Sequence, residues 1–453
     1  ARARQLAGLC AAFIRNLARD PGAPLERVPL IDEPERSRLL DQLASPRSDY
    51  PVDQDLGEWV DRAARATPDA VAVQLGTKSR TYAQLSEQSN QVAALLQARG
   101  AGPDTRIGLC LNRTPETMVA LLGIIKAGSC YVPLYPTYPQ ERLHGMIAHA
   151  QLALLLTEPG LRSVLPATGC DVLEIDPEGA WLKGYATKQV RSAASPDHAC
   201  YVIHTSGSTG VPKGVVMTRR AMLNLVHWQN TVSTPAPNGR TFQYASLSFD
   251  VSVQEIFSTW FAGGTLVLVP EDALRDPLHL LRLAAEVGVQ RWFMPYAALQ
   301  QVAAAAEAAQ LYPETLRDVI TAGEALRITP EIRSFFQRLP RTRLHNQYGP
   351  SETHVVTAYV LPGDPASWPG LPSIGRAIAN TAIYLLDASG DPVPAGLPGE
   401  LYVGGDCLAQ GYLLRPDLTA ERFVTRTWPG RAATRLYRTG DLARQDGDGL
   451  IEF

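Results

Sequence analysis

Short apolar runs that alternate with longer helical patterns are the feature that most constrains how this chain folds. The runs at 70–73, 106–110 and 201–203 are too short for helices and have the length of strands. Helical patterns with three- and four-residue steps lie between such runs, for example over 84–97 and 114–126. Strands that alternate with helices indicate a largely parallel sheet covered on both faces, so we predict an α/β fold.

The C-terminal part has a different pattern. After about residue 370 the helical periodicity stops, and the apolar runs 384–386 and 400–403 stand among Gly, Pro and Asp residues. The segments 387–391 and 446–449 are typical of hairpin loops. We therefore predict a small β-rich subdomain at about 370–453.

The first 50 residues are predicted to be a linker. Residues 5–17 place their apolar side chains on one helical face, and the breaker-rich segment 20–29 follows. The chain starts Ala-Arg-Ala-Arg without a Met, which suggests a piece cut from a longer polypeptide. We place the domain itself at 51–453.

Composition excludes several classes of function. The 453 residues include 42 Lys and Arg against 45 Asp and Glu, a formal net charge of −3, which gives no electrostatic footprint for nucleic acid or an anionic membrane. No apolar run approaches the roughly 18 residues of a spanning helix. The six cysteines lie far apart and the eight histidines form no cluster, so we expect neither a disulfide framework nor a zinc site. We expect a cytoplasmic protein.

The sharpest local motif is a loop of glycines and small hydroxyl residues at 205–210, which follows an apolar strand and leads to Pro212 and Lys213. Such a loop can surround a polyphosphate with backbone N–H groups, hydroxyls and one ammonium group. Gly214 stands where a Walker loop has Ser or Thr, so this is a different phosphate loop. A flexible Ser/Gly loop is the alternative, and the stiffening Pro212 with Lys213 at a fixed distance argues against it.

This loop, TSGSTGVPKG at 205–214, resembles the signature of adenylate-forming enzymes, and six further motifs occur in the order found in nonribosomal peptide synthetase adenylation domains. They are TYAQL at 81–85, KAGSCYVPL at 126–134, FDVS at 249–252, NQYGPSE at 346–352, GELYVGG at 399–405 and YRTGDL at 437–442. The resemblance runs from about residue 50 to the last residue, and the segment before it resembles a linker from an upstream condensation domain.

The resemblance implies a fold and a set of partners. The fold would be the N-terminal core of the adenylate-forming fold, with two layered βα subdomains and a small β-rich subdomain, and without the mobile C-terminal subdomain that supplies a further lysine. The partners would be an amino-acid substrate, a condensation domain and a peptidyl carrier protein with its phosphopantetheine. We expect a monomer that serves secondary-metabolite or antibiotic biosynthesis, binds ligands and, without that lysine, turns over poorly.

The resemblance also implies a site for ATP and Mg²⁺. Asn346 would bond the adenine edge, Tyr348 would stack on the base, Asp441 would accept from the ribose hydroxyls, and Glu352 would hold the magnesium ion. The residues implied as catalytic are Thr205, Ser206, Thr209, Lys213 and Glu352; those implied to contact the nucleotide are Gly207, Ser208, Gly210, Ala322, Gly323, Glu324, Asn346, Tyr348, Ser351 and Asp441. His204 departs from the aromatic residue usual before the loop.

The family's specificity positions correspond to Asp250, Val251, Gln254, Trp292, Ile320, Ala322, Gln347, Val355 and Val356. Asp250, in an otherwise apolar stretch, would pair with the substrate ammonium, although a structural salt bridge is the alternative. The rest of the lining carries no charge, so we expect a neutral side chain. The lining resembles proline-activating pockets, from which Trp292 and Gln347 depart, and a ring such as piperazic acid or capreomycidine stays an alternative.

The implied reaction is that of an AMP-forming ligase, in which an amino acid and ATP give aminoacyl-AMP and pyrophosphate. The substrate carboxylate attacks the α-phosphorus, so no protein nucleophile is needed, and catalysis consists of positioning and charge stabilisation. An acyl- or aryl-CoA ligase would share the phosphate loop but would have no use for Asp250. A catalytically silent interaction module is the third alternative.

Overall fold

The computed structural model describes residues 2–22, 24–25, 28–42, 47–176, 179–205, 212–235 and 239–453. The α-helices in these ranges are α1 (Arg2–Arg19), α2 (Glu33–Gln42), α3 (Leu56–Ala66), α4 (Tyr82–Ala98), α5 (Pro115–Lys126), α6 (Gln140–Ala150), α7 (Arg219–Val232), α8 (Val251–Phe261), α9 (Pro277–Val287), α10 (Tyr296–Ala309), α11 (Pro330–Arg338) and α12 (Pro416–Arg422). None of them is both long enough and apolar enough to cross a membrane.

The strands in the same ranges form three sheets. They are β1 (Val71–Leu75), β2 (Lys78–Thr81), β3 (Arg106–Cys110), β4 (Cys130–Pro133), β5 (Leu154–Thr157), β6 (Asp171–Glu174), β7 (Ala199–Thr205), β8 (Lys213–Thr218), β9 (Arg240–Gln243), β10 (Thr265–Leu268), β11 (Arg291–Phe293), β12 (Asp318–Thr321), β13 (Arg343–Tyr348), β14 (Thr357–Val360), β15 (Arg376–Ala377), β16 (Thr381–Leu386), β17 (Gly399–Gly405), β18 (Gly411–Tyr412), β19 (Phe423–Arg426), β20 (Thr434–Gln445) and β21 (Ile451–Glu452).

The first two sheets are largely parallel, as the sequence predicted. The first has the order β18-β8-β7-β4-β3-β5-β6, and its antiparallel members β8 and β18 lie at one edge. The second has the order β15-β14-β13-β12-β11-β9-β10-β1-β2, with antiparallel strands at both edges. Strand β7 ends at Thr205 and strand β13 ends at Tyr348, two of the predicted site residues.

The third sheet is antiparallel and lies in the predicted β-rich part of the chain. Its order is β16-β17-β20-β19, and β21 pairs with the far end of β20. The turn at 446–449 closes on itself through the Asp446 N–H, which donates to the Leu450 carbonyl at 2.9 Å. The predicted fold class, two layered α/β subdomains and a small β-rich one, is confirmed.

A layer of helices lies between the two parallel sheets and forms the main core. Buried side chains of α4, α5, α7 and α8 join one apolar cluster with strand residues of both sheets. Helix α5 begins with Thr114 as its N-cap and Pro115 in its first turn, and eleven of its twelve residues are buried, with Glu116 partly exposed. A Cβ on Gly123 would lie 2.4 Å from Val92 Cβ, so glycine permits the close approach of α4 and α5.

The segment predicted as a linker is packed onto the third sheet in its described part. Leu40 of α2 is buried against Tyr384 and Trp428. Arg36 forms an ion pair with Asp391 at 3.0 Å between Nε and Oδ1. Helix α2 is therefore attached to the β-rich subdomain, and the link to an upstream condensation domain stays a prediction.

A buried ion pair fixes α3 to α5 inside the main core. Lys126 Nζ lies 2.5 Å from Asp61 Oδ1 and 2.8 Å from Asn90 Oδ1, and Asp61 also accepts from the Ser86 hydroxyl at 2.6 Å. Burial lowers the pKa of Lys126, and the carboxylate of Asp61 opposes this effect. The hydrogen bonds offset part of the desolvation of the two charges.

Removal of this lysine should destabilise the fold strongly. We expect Lys126→Met to lower the free energy of unfolding by about 3–5 kcal/mol, because the carboxylate of Asp61 would stay buried without the Lys126 ammonium as its partner. Lys78→Met, at the exposed first residue of β2, is the matched control and should change this free energy by less than about 0.5 kcal/mol. Urea unfolding would compare wild type with the two variants. Equal effects of the two substitutions would contradict a stabilising role of the buried ion pair.

Candidate active site

Three side chains, two from the first sheet and one from a loop, meet beside the predicted phosphate loop. Lys213, the first residue of β8, places Nζ 2.7 Å from Glu352 Oε1 and 4.7 Å from the centre of the Tyr412 ring. The Tyr412 hydroxyl donates to the same Glu352 oxygen at 2.6 Å. The sequence predicted Lys213 and Glu352 for this site but missed Tyr412, which lies in the two-residue strand β18 outside every motif considered.

These contacts set the charge state of the cluster. Burial raises the pKa of Glu352, but hydrogen bonds from Lys213 and Tyr412 outweigh burial and hold this pKa below its usual value. Burial, together with the neighbouring carboxylate of Glu352, raises the pKa of Tyr412. The cluster at neutral pH therefore contains a carboxylate, an ammonium group and a neutral phenol.

The phosphate loop is described only at its two ends. Thr205 ends β7, and its hydroxyl is buried without a hydrogen-bond partner among the described residues. Lys213 begins β8 on the antiparallel neighbour, with Thr205 and Lys213 paired across the two strands. The predicted contacts of Ser206, Gly207, Ser208, Thr209 and Gly210 lie outside the described residues.

His204, the departure before this loop, pairs with a second histidine. Its Nε2 atom lies 3.1 Å from Nδ1 of His149 in α6. Burial and the nearby His149 lower the pKa of His204 to about 4, and burial also lowers the pKa of His149. Both rings are neutral at pH 7, so the pair links α6 to β7 without adding charge beside the loop.

The residues predicted to hold the nucleoside lie around the end of β13. The Tyr348 hydroxyl donates to Asp441 Oδ2 at 2.5 Å, and the Tyr348 ring lies 5.5 Å from that of Phe453. Asn346 Nδ2 donates to the Ser373 carbonyl at 2.9 Å, which orients the amide. The structure thus joins Tyr348 and Asp441, which are 93 residues apart in the chain.

The segment predicted as the other wall of the adenine site follows β12. Gly323 has a φ of +85°, a left-handed conformation that favours glycine, and Ala322 before it is half-buried. Glu324 accepts from the Ala297 N–H at 3.0 Å and so binds the first turn of α10. Ser351 is half-buried in the turn before Glu352.

Asp250 stands at the start of α8, where the sequence predicted an ammonium-binding carboxylate. The residue is half-buried, and its side chain makes neither a capping bond to α8 nor an ion pair with any described residue. Its backbone carbonyl accepts from His354 Nε2 at 3.0 Å. The alternative expectation, a structural salt bridge, finds no support among the described residues.

His354 is a positioning residue that the sequence did not indicate. It has a φ of +55°, and its Nδ1 accepts from the Val355 N–H at 2.8 Å. The two following residues then diverge, since Val355 joins the main core and Val356 joins the core of the third sheet. A left-handed backbone at a non-glycine residue leaves no reliable mark in the sequence.

Gln254 and Gln347, both predicted to line the pocket, are in contact with each other. Gln254 Nε2 donates to Gln347 Oε1 at 3.0 Å, and both residues are buried. Ile320 is buried one strand away on β12, and Val251 is half-buried in the first turn of α8. This part of the predicted lining lies where α8 faces β12 and β13.

The expectation that Trp292 lines the pocket is wrong, because it faces the opposite side of the sheet. The Trp292 ring packs edge-on against Phe242 at 5.0 Å between ring centres, in the cluster beneath α9, α10 and α11. Successive side chains of a strand alternate, so Phe293 faces the other way and lies beside Ile320, its partner in the register. Arg291, on the same side as Phe293, donates to Ser258 of α8 at 2.8 Å.

No group of three or more His, Cys, Asp or Glu residues in the described ranges could form a metal site by itself. A magnesium ion that is bound to the phosphates of a substrate needs fewer protein ligands, because Mg²⁺ keeps several waters and takes one or two carboxylates. Glu352, buried and held ionised, fits that requirement.

Comparisons with known proteins agree on a family. The model of the AMP-binding enzymes matches residues 60–413. The chain is 37% identical over 451 residues to tyrocidine synthase 2 of Brevibacillus parabrevis and 36% identical over 437 residues to gramicidin S synthase 2 of Brevibacillus brevis. These matches cover 99% and 96% of this chain but only 12% and 10% of the relatives, so the chain spans about a tenth of their length.

Solved structures give the same result for the fold. A crystal structure of the nonribosomal peptide synthetase FmoA3 superposes with a TM-score of 0.87 and 28% identity, covering 99% of this chain and 48% of that one. The N-terminal subdomain of Klebsiella oxytoca NpsA, in complex with 3-hydroxybenzoyl-AMSN, superposes with a TM-score of 0.77 and 23% identity. That match covers 90% of this chain and 99% of the subdomain, and at this identity it shows the fold alone.

The ion pair of Lys213 and Glu352 should give stability a characteristic dependence on pH. The folded pKa of Glu352 lies below the unfolded value of about 4.3, so its stabilising effect is complete above that value and is lost as pH falls through the folded pKa. In Lys213→Met the burial of Glu352 would remain and would raise its pKa, so this variant loses stability as pH rises.

We therefore expect wild type to exceed Lys213→Met by about 2 kcal/mol in free energy of unfolding at pH 7 and by much less near pH 4. Urea unfolding between pH 4 and pH 8 measures the difference. Lys188→Met, which changes an exposed loop lysine, should match wild type throughout. A deficit of Lys213→Met that does not change with pH would contradict the ion pair.

Proposed function

This chain belongs to the AMP-binding enzyme family and has the fold of a nonribosomal peptide synthetase adenylation core, and we propose that it activates a neutral, proline-like amino acid. The reaction joins the substrate carboxylate to the α-phosphorus of ATP and releases pyrophosphate. The class of enzyme, an AMP-forming ligase, follows from the family; the amino acid and the role of each residue are proposed.

Asp250 carries the assignment to an amino acid. A half-buried carboxylate with no cation beside it among the described residues is costly unless a ligand supplies one. The α-ammonium of an amino acid is such a ligand, and charge-assisted hydrogen bonds to it are strong. A carboxylic acid without an amine would leave Asp250 unpaired, which argues against an acyl- or aryl-CoA ligase.

Lys213 and Glu352 would stabilise the charge of the ATP phosphates. The hydrogen bonds from Lys213 and Tyr412 keep Glu352 ionised at neutral pH, so its carboxylate can hold a magnesium ion that offsets phosphate charge. The Lys213 ammonium, one-quarter exposed, can turn to phosphate oxygens at the loop it borders. Thr205, Ser206 and Thr209, with Gly207, Ser208 and Gly210, would surround the same phosphates.

The nucleoside would lie at the end of β13. The Asn346 amide, oriented by its bond to Ser373, would contact the adenine edge, and Tyr348 would stack on the base. Asp441 would accept from the ribose hydroxyls, since a carboxylate with one bond to Tyr348 has lone pairs to spare. Ala322, Gly323, Glu324 and Ser351 would complete the walls.

The pocket favours a compact, neutral side chain. The proposed lining has no charge beyond Asp250, so a charged side chain would be buried without a partner. Trp292 faces away from this lining and Phe293 lies beside Ile320, so Trp292 no longer counts as a departure from the lining expected for proline. Piperazic acid and capreomycidine stay alternatives for the ring, and the charge of capreomycidine makes it the less favoured one.

Turnover by this chain alone should be slow. Of its five lysines only Lys213 contacts the cluster, and Lys126 is committed to Asp61 in the core. No other lysine is placed to take the family's second catalytic role.

We also propose that the chain acts in the cytoplasm as a monomeric unit between a condensation domain and a carrier protein, whose phosphopantetheine receives the aminoacyl group.

Asp250→Asn tests the assignment. We expect the variant to bind a nonhydrolysable prolyl-adenylate analogue at least about 30-fold more weakly than wild type, because the substrate ammonium loses its counter-charge. Its affinity for ATP alone should not change. Asp272→Asn, in an exposed loop, is the matched control. Calorimetric titration gives both constants, and unchanged affinity of Asp250→Asn for the prolyl analogue would refute the ammonium site.

A further inference from the structure

Three glutamine side chains from three elements meet in the interior beside the proposed substrate pocket. Gln229 of α7 and Gln254 of α8 are fully buried, and Gln347 of β13 is 2% exposed. The sequence assigned Gln254 and Gln347 to the pocket lining. Gln229 lies outside every motif and has no assigned role.

Gln229 is the centre of this amide triad. Its Oε1 atom accepts from Gln254 Nε2 at 2.5 Å and from Gln347 Nε2 at 3.0 Å. Gln254 Nε2 also donates to Gln347 Oε1 at 3.0 Å. Both hydrogens of the Gln254 amide are thus in use, and Gln347 uses its oxygen and one hydrogen.

These bonds change what the lining residues offer to a substrate. A free Gln254 or Gln347 could donate to a polar side chain of the amino acid, and the pocket would then select for that side chain. Here the Nε2 groups of Gln254 and Gln347 both donate to Gln229. A substrate side chain that accepted one of these hydrogen bonds instead would leave Gln229 Oε1 with a broken bond in a buried site. The triad therefore favours a substrate whose side chain does not accept a hydrogen bond from Gln254 or Gln347.

We propose that Gln229 is a specificity-determining positioning residue, which binds the amide donors of Gln254 and Gln347 and so reserves the pocket for a compact hydrocarbon ring. This inference rests on the proposed amino-acid site. It also accounts for Gln347, the remaining departure from a proline-type lining, because its oxygen and one of its two amide hydrogens are bonded inside the protein.

Two atoms of the amide triad without a partner point to an alternative substrate. Gln229 Nε2 and Gln254 Oε1 are buried and have no partner among the described residues. One donor and one acceptor form the complement of a carboxamide, so a carboxamide substrate is the alternative that an experiment has to exclude.

The experiment compares nonhydrolysable prolyl- and glutaminyl-adenylate analogues in calorimetric titrations of the whole chain. Wild type should prefer the prolyl analogue. Gln229→Met keeps the volume but removes the acceptor, which frees the two donors, so the glutaminyl analogue should gain about tenfold relative to the prolyl one. Gln229→Glu keeps an acceptor oxygen and should retain the wild-type ratio. Gln300→Met, at an exposed position of α10, is the matched control.

The ratio of two affinities on one sample does not depend on the fraction of protein that is folded, so partial misfolding of a variant does not hide the result. An unchanged ratio in Gln229→Met, with the prolyl analogue still bound by wild type, would overturn the role of Gln229 and leave the proposed function intact. Preference of wild type for the glutaminyl analogue would also overturn it. Wild type that bound neither analogue would overturn the inference and the proposed function together.

Discussion

The ion pair of Lys213 and Glu352 is the contact on which the organisation of the site depends. Lys213 belongs to the first parallel sheet, Glu352 follows the last parallel strand of the second, and Tyr412 bonds to both. The Tyr412 hydroxyl also lies 3.4 Å from that of Tyr437 in the third sheet. All three sheets therefore meet at one buried carboxylate, and the phosphate loop starts and ends beside it.

Much of the fold could be predicted from the sequence because it depends on local patterns. The apolar runs at 106–110 and 201–203 became β3 and β7, and the helical pattern at 114–126 became α5 within one residue. The motifs also assigned residues far apart in the chain to one nucleotide site, and the structure joins Lys213 with Glu352 and Tyr348 with Asp441.

The errors and omissions arise where three-dimensional detail decides. Trp292 and Phe293 are neighbours in a three-residue strand, and a shift of one residue reverses the face on which a side chain lies. His354 acts through a left-handed backbone, and Gln229 acts through two long-range bonds to other side chains. Neither property has a period or a motif that the sequence displays.

The most direct test of the account is the selectivity of wild type for an amine. A calorimetric titration would compare the nonhydrolysable prolyl-adenylate analogue with its carbocyclic counterpart, in which a CH group replaces the ring nitrogen. If Asp250 pairs with the substrate ammonium, the prolyl analogue should bind at least about 30-fold more tightly. Equal affinity for the two analogues would contradict the account, because the site would then recognise a carboxylic acid without regard to its amine.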